Sequence, residues 1–232
     1  RMMGLPELRH AIAVHYLHWQ NLTLDPDAEI MVTSGATEAL AGSLLALLEP
    51  GDEVVLFQPL YDAYVPLVQR AGGVPRFVRL EPPHWRFTEE MLAAAFTPKT
   101  KIVLLNNPLN PAGVVYSRED LALLARFCER FDAVERCVKI GSAGKIFSLT
   151  GWKVGFVCAA PRLMRVLAKA HQYITFTTPP NLQAAVAYGL AKSDAYFHDM
   201  RRDFQRSRDR FASGLRALGF PVLDSQGTYF LN

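Results

Sequence analysis

The most constraining feature of the sequence is its rhythm, in which short apolar runs alternate with longer stretches of helical periodicity. Runs at 29–33, 54–57, 74–80, 101–105, 138–140 and 154–158 read as strands, and stretches at 7–20, 38–48, 61–71, 88–95, 117–130, 162–171 and 181–190 read as helices. A strand followed by a helix and another strand gives a parallel or mostly parallel sheet covered by helices, so the fold class is α/β. Half of the 232 residues are hydrophobic, enough for a sizeable core. A long helix at 195–218 has the length of a connector between domains, and 221–223 and 228–231 read as two further strands.

Charge and cysteine usage narrow the function. The formal charge is +3, from 25 basic and 22 acidic residues mixed along the chain, without the like-charged block that tracks a nucleic acid or an anionic membrane. The most basic run, 201–210, carries acids at helical spacing and reads as a solvated helix face. Cys128, Cys137 and Cys158 lack metal-ligand spacing, so reduced, mostly buried thiols and a cytosolic setting are expected, with no metal site. No apolar run is long enough to cross a membrane, and the first residues lack the pattern of a signal peptide. The six histidines, His10, His15, His18, His84, His171 and His198, have neither ligand spacing nor a nucleophile partner and receive no role.

Four segments fall at strand ends, where open α/β sheets bind ligands. The turn Ser34-Gly35-Ala36-Thr37 precedes a helix, so its small residues let backbone N–H groups approach an anion such as phosphate. An ordinary strand-to-helix turn would look much the same. The run from Asn107 to Gly113 holds two prolines and two asparagines after a buried strand, a rigid loop able to present Asn110 to a ligand. In Gly141-Ser142-Ala143-Gly144-Lys145 a lysine stands among small residues between two strands, where partial desolvation would free its amine as a nucleophile toward carbonyls. Lys153 follows eight residues later and could neutralise a phosphate; the bland alternative is two surface lysines on a glycine-rich loop. Finally, Tyr61, in the aromatic segment 57–64, could lay its ring on a planar heterocycle or simply pack into the core.

Together and in this order, the phosphate turn, the Asn-Pro-x-Asn-Pro-x-Gly loop, and Ser-x-x-Lys followed by Gly-Trp-Lys-x-Gly resemble the class I/II, fold-type I aminotransferases that depend on pyridoxal 5'-phosphate. The variant around Lys145 and Lys153 is similar to the kynurenine and methionine aminotransferase branch. The resemblance implies a three-layer domain at 25–194 with a mostly parallel sheet. It also implies a segment at 1–24 belonging to the small domain or the interface, and the start of a smaller α+β domain at 195–232. It implies a homodimer acting on amino acids and 2-oxo acids, with Lys145 holding the cofactor as a Schiff base. Gly35, Ala36 and Thr37 with Ser142 and Lys153 would bind the phosphate, Tyr61 would stack on the ring, and Asn110 would bond near the ring hydroxyl. A carbon–sulfur β-lyase, and the effector-binding module of a transcription regulator, use the same cofactor site.

The sequence also departs from the family. Members carry a strand ending in Asp-x-x-Tyr between the Asn-Pro loop and the lysine, whereas this chain passes from the helix ending near Arg130 through residues 131–137 directly to Val138. Asp132 precedes the expected strand and is no substitute. The expectation is therefore a junction near 132–136, with that strand and a carboxylate-binding arginine supplied by segments of the full protein not seen here.

Overall fold

The computed structural model describes residues 2–129 and 137–232, so the expected junction at 132–136 lies outside the described residues. The chain divides into two compact units, one made of Arg1–Leu47 with Val134–Ser193 and the other of Leu48–Ala133 with Asp194–Asn232.

The first unit is a helix–sheet–helix sandwich. Its strands are β1 (Ile30–Ser34), β5 (Val138–Ser142) and β6 (Val154–Ala159), in the order β1-β6-β5. Both outer strands run antiparallel to β6 and hence parallel to each other. Because side chains alternate across a strand, Ile30, Val32, Phe156 and Cys158 face one layer while Met31, Val157 and Ala159 face the other. The first face packs on α1 (Pro6–Gln20) and α8 (Pro180–Leu190) through Leu8, Ile12, Val186 and Leu190. The second packs on α2 (Gly35–Leu47) and α7 (Pro161–Ile174) through Ala39, Met164, Leu167 and Ala168. Coverage on both faces explains why these strands read as continuous apolar runs. Proline occupies the first turn of α1, α7 and α8, where its missing N–H would have no helical partner.

The second unit holds the parallel strands β2 (Glu53–Gln58), β3 (Val74–Arg79) and β4 (Thr100–Leu104), in the order β3-β2-β4. With them are α3 (Tyr64–Arg70), α4 (Glu89–Ala95), α5 (Arg118–Glu129) and α9 (Asp194–Ala217). Thr88 caps α4 as its sequence suggests, its hydroxyl oxygen accepting from the Met91 N–H. The core centres on Val55, Phe57, Phe87, Leu92, Tyr116 and Phe127. The solvated reading of 201–210 holds, since Asp199–Arg202 and Asp203–Arg206 pair along an exposed face of α9.

Three expectations are corrected. Residues 221–223 and 228–231 form no strands, because the segment folds back on itself, Leu223 N–H donating to the Asn232 carbonyl at 2.7 Å. Two further backbone donors turn to the 107–115 loop, where the Gly113 carbonyl accepts from Gln226 and Gly227 at 2.8 and 2.9 Å. The helix expected at 61–71 begins only at Tyr64, with 61–63 in a turn closed by the Tyr64 N–H on the Tyr61 carbonyl. The thiols are not mostly buried: Cys158 is buried and its thiol pushed up to about 12, chiefly by burial, whereas Cys128 is half-buried and Cys137 exposed. No helix among the described residues is long and apolar enough to cross a membrane.

Candidate active site

In the first unit the register of the sheet assembles the candidate residues. Gly155 is the partner of Thr33 on one side and of Ser142 on the other. The exits of β1 and β5 and the entry of β6 therefore share one edge. From that edge β1 runs into the Gly35-Ala36-Thr37 turn, β5 runs through Ser142 to Lys145, and Lys153 leads into β6.

The turn is part of a helix, since α2 starts at Gly35 rather than at Glu38. Gly35, Ala36 and Thr37 thus supply first-turn amides, which have no partner within the helix and carry its positive dipole end. Gly35 has φ +76°, and buried Thr33 donates its hydroxyl to the Gly35 carbonyl at 3.1 Å. Glu38 closes the entry, its carboxylate accepting from the Ser34 N–H at 2.9 Å. Lys153 lies against this turn: a Cβ on Gly35 would stand 3.7 Å from Lys153 Cα and Cδ. Its backbone is left-handed, φ 53°, and its side chain is exposed.

Ser142 caps a four-residue helix, α6 (Ala143–Ile146), in a segment that reads as loop from sequence. Its hydroxyl oxygen accepts from the Gly144 N–H at 3.2 Å, which leaves the O–H as a donor. Ala143 and Gly144 point inward while Lys145 is exposed, so the expected partial desolvation of its amine is not met by the described residues. The reason is local: the two buried small residues tuck the helix against the sheet, and the lysine takes the outer side.

Tyr61 and Asn110 belong to the second unit. Tyr61 is 41% exposed and meets Tyr64 edge-on, with ring centroids 5.6 Å apart, so it is not a core aromatic. Burial first, then Tyr61, pushes the Tyr64 hydroxyl up to about 12. Asn110 sits half-buried in a loop with cis peptides before Pro108 and Pro111. That loop is held by Asn107, whose side-chain oxygen accepts from the Tyr116 N–H at 3.1 Å, and by the C-terminal segment.

One buried polar contact beside the turn escapes sequence reasoning. His171, given no role above, is 1% exposed and places Nδ1 3.0 Å from Glu38 Oε1 and Nε2 3.1 Å from the Met2 carbonyl. Burial opposes its charged form, but the hydrogen bond and charge of Glu38 and the Met2 carbonyl outweigh it and raise its pKa above the usual histidine value. The signal available was its place on the apolar stripe Met164, Leu167, Ala168, His171.

Helix-start amides, a serine hydroxyl and an ammonium around one turn are the donor set of a phosphate-ester site, and a second lysine on the same edge offers an amine to a carbonyl. Comparison with known proteins gives this class its family. The profile of aminotransferase class I and II matches residues 1–135 and 132–232, and the chain belongs to that family. Members depend on pyridoxal phosphate.

A kynurenine–oxoglutarate transaminase of Dictyostelium discoideum is 34% identical over 277 aligned positions, covering 100% of this chain and 64% of the relative. The methionine aminotransferase of Escherichia coli is 33% identical, over 99% of this chain and 67% of the relative. A solved N-succinyldiaminopimelate aminotransferase from Mycobacterium tuberculosis superposes with a TM-score of 0.95 at 35% identity, covering 99% of this chain and 67% of that one. The chain thus spans less than two thirds of the amoebal relative. That alignment is also longer than the 232 residues present, so the relative carries positions without counterpart here. The family profile matches in two parts, which overlap at 132–135. The fold is that of the fold-type I aminotransferases; among the described residues β2, β3 and β4 form a parallel sheet, and β6 runs antiparallel to both β1 and β5.

Proposed function

We propose that the protein is a pyridoxal-phosphate-dependent aminotransferase, moving an amino group from an amino acid to a 2-oxo acid with Lys145 as the covalent anchor of the cofactor. The observation that carries this is the single sheet edge bearing the Gly35–Thr37 amides, Ser142, Lys145 and Lys153. The donor chemistry fits the cofactor: the helix-start amides and the Ser142 O–H would donate to a phosphate monoester's oxygens, and Lys153 would balance its charge. A lysine ammonium serves as a point charge where a guanidinium would bind bidentately.

When bound, the pyridine ring supplies an electron sink for the substrate carbon. The chain's own residues do the rest. Lys145 would hold the cofactor through its side-chain amine and would serve as the base that moves the proton at the substrate Cα. Its exposed position on α6 leaves the amine reachable from the sheet edge. For Tyr61 and Asn110 the roles are those the family resemblance implies, stacking on the ring and a hydrogen bond near the ring oxygen. Residues 25–194 form the cofactor-binding domain in this reading, with 1–24 belonging to the small domain or interface and 195–232 connecting to that domain. In this reading the full protein carries the Asp-x-x-Tyr strand and a carboxylate-gripping arginine in segments outside these 232 residues. A homodimer in the cytosol acting on amino-acid and 2-oxo-acid substrates completes the proposal.

The test is amino transfer by the full-length protein with kynurenine or methionine as donor and 2-oxoglutarate as acceptor. The expected result is turnover that requires the acceptor and is lost in Lys145→Ala. Release of ammonia and pyruvate from cystathionine without an acceptor would replace the transaminase reading with a β-lyase. A full-length mass near 25.9 kDa would contradict the presence of those segments in the full protein.

A further inference from the structure

The entry of the phosphate turn rests on a buried chain of hydrogen bonds. Ser34, the residue before the turn, donates its N–H to Glu38 Oε2 at 2.9 Å, and Glu38 Oε1 lies 3.0 Å from His171 Nδ1. The opposite ring nitrogen lies 3.1 Å from the Met2 carbonyl. Glu38 and His171 are 8% and 1% exposed, so water cannot replace these partners. A carbonyl oxygen and a carboxylate only accept, so the ring satisfies both by carrying a proton on each nitrogen, and a neutral ring would set a lone pair against one oxygen. His171 also stands in the last turn of α7, where the helix dipole favours a cation. The groups facing the ring are the Glu38 carboxylate from α2, the Met2 carbonyl from the segment before α1, the Thr175 hydroxyl, 3.4 Å away at the end of α7, and the backbone of Phe176 just beyond it.

We infer that His171 is a positioning residue for the phosphate site, its charged ring fixing Glu38 on the Ser34 N–H so that the Gly35–Thr37 amides are held ready for a phosphate monoester. The inference rests on the cofactor reading above and extends it to a residue that touches neither cofactor nor substrate. The path runs from α7 through Glu38 to the first turn of α2. Glu38 thereby couples the helix that binds the phosphate to the helix packed beside it. Without the ring's charge, the Glu38 carboxylate is a buried anion lacking its counter-ion and leaves the Ser34 N–H.

The experiment compares wild type, His171→Gln, Glu38→Gln and the double variant, each titrated at pH 6.5 with pyridoxal 5'-phosphate and with pyridoxal, which lacks the phosphate. The expected result is a fall of about tenfold in the affinity for the phosphate ester in each single variant, unchanged pyridoxal binding, and no further loss in the double variant. A phosphate preference in His171→Gln equal to that of wild type overturns the inference. Nitrogen NMR of the wild-type ring at pH 7 decides the matter without relying on variants that fold poorly. Two protonated ring nitrogens are expected, and a single neutral tautomer overturns it. If the wild type binds neither compound, the cofactor reading itself fails and the phosphate role falls with it, an outcome distinct from normal binding by the variants.

Discussion

Substituting Gly155 by alanine tests the geometry of the phosphate turn. A Cβ at Gly155 would lie 2.4 Å from the Gly35 carbonyl carbon, 2.6 Å from Ala36 N and 2.8 Å from Gly35 Cα. All three are backbone atoms with no rotamer by which to move aside. Ordinary contact begins at 3.4 Å, so β6 and the turn must separate by about 1 Å. Overpacking of this kind costs about 1–3 kcal/mol, or roughly 2–12 °C in Tm for a chain of this size. The same displacement moves the Gly35 and Ala36 amides away from the phosphate, and an error of about 1 Å in a positioned group costs on the order of tenfold to a hundredfold. The assays are thermal unfolding and titration with pyridoxal 5'-phosphate, with Gly151→Ala as control, because a Cβ there meets nothing within 4 Å. Gly155→Ala matching Gly151→Ala in both Tm and affinity would refute the placement of β6 against the turn.

Other expectations follow from single contacts. Lys153→Ala should weaken phosphate-ester binding by about tenfold or more and flatten its dependence on salt, whereas Lys153→Arg should retain most of it; titrations at two ionic strengths check this. Because His171 has a folded-state pKa above its ordinary 6.5, its contribution to stability is complete below that value and is lost as pH rises through the folded-state pKa. Tm should accordingly decline on that alkaline side in wild type, and the decline should be absent from the wild-type-minus-His171→Gln comparison only if this account is wrong. Leu56→Ala, at a residue with no exposed surface, should cost about 2–5 kcal/mol in chemical denaturation, and a loss below 1 kcal/mol would contradict the packing of β2.

The strands and most helices were legible because each apolar run is bracketed by turn residues and buried on both faces in the first unit. Residues 221–223 and 228–231 misled for the opposite reason, since they have strand composition but form no ladder: Leu223 N–H bonds to the Asn232 carbonyl, and Gln226 and Gly227 between the two stretches bond to the Gly113 carbonyl. Helix α6 is four residues long, too short for periodicity to register, although its Ser142 cap is visible in hindsight. The start of α2 was read three residues late because Gly35 suggested a turn outside the helix. Among the site residues, Gly35, Ala36, Thr37, Ser142, Lys145 and Lys153 were found as separate motifs, and the register of β1, β6 and β5 is what joins them. His171 stayed hidden because its partner lies 133 residues away in sequence, a distance that no local pattern spans.

The central claim is that Lys145 anchors the cofactor. The most direct measurement is borohydride reduction of the protein equilibrated with pyridoxal 5'-phosphate, followed by peptide mass mapping. The account predicts one stoichiometric pyridoxyl adduct on the peptide containing Lys145, and none at that position in Lys145→Ala. An adduct on Lys153, one scattered over surface lysines such as Lys99 and Lys101, or no adduct at all, would contradict it.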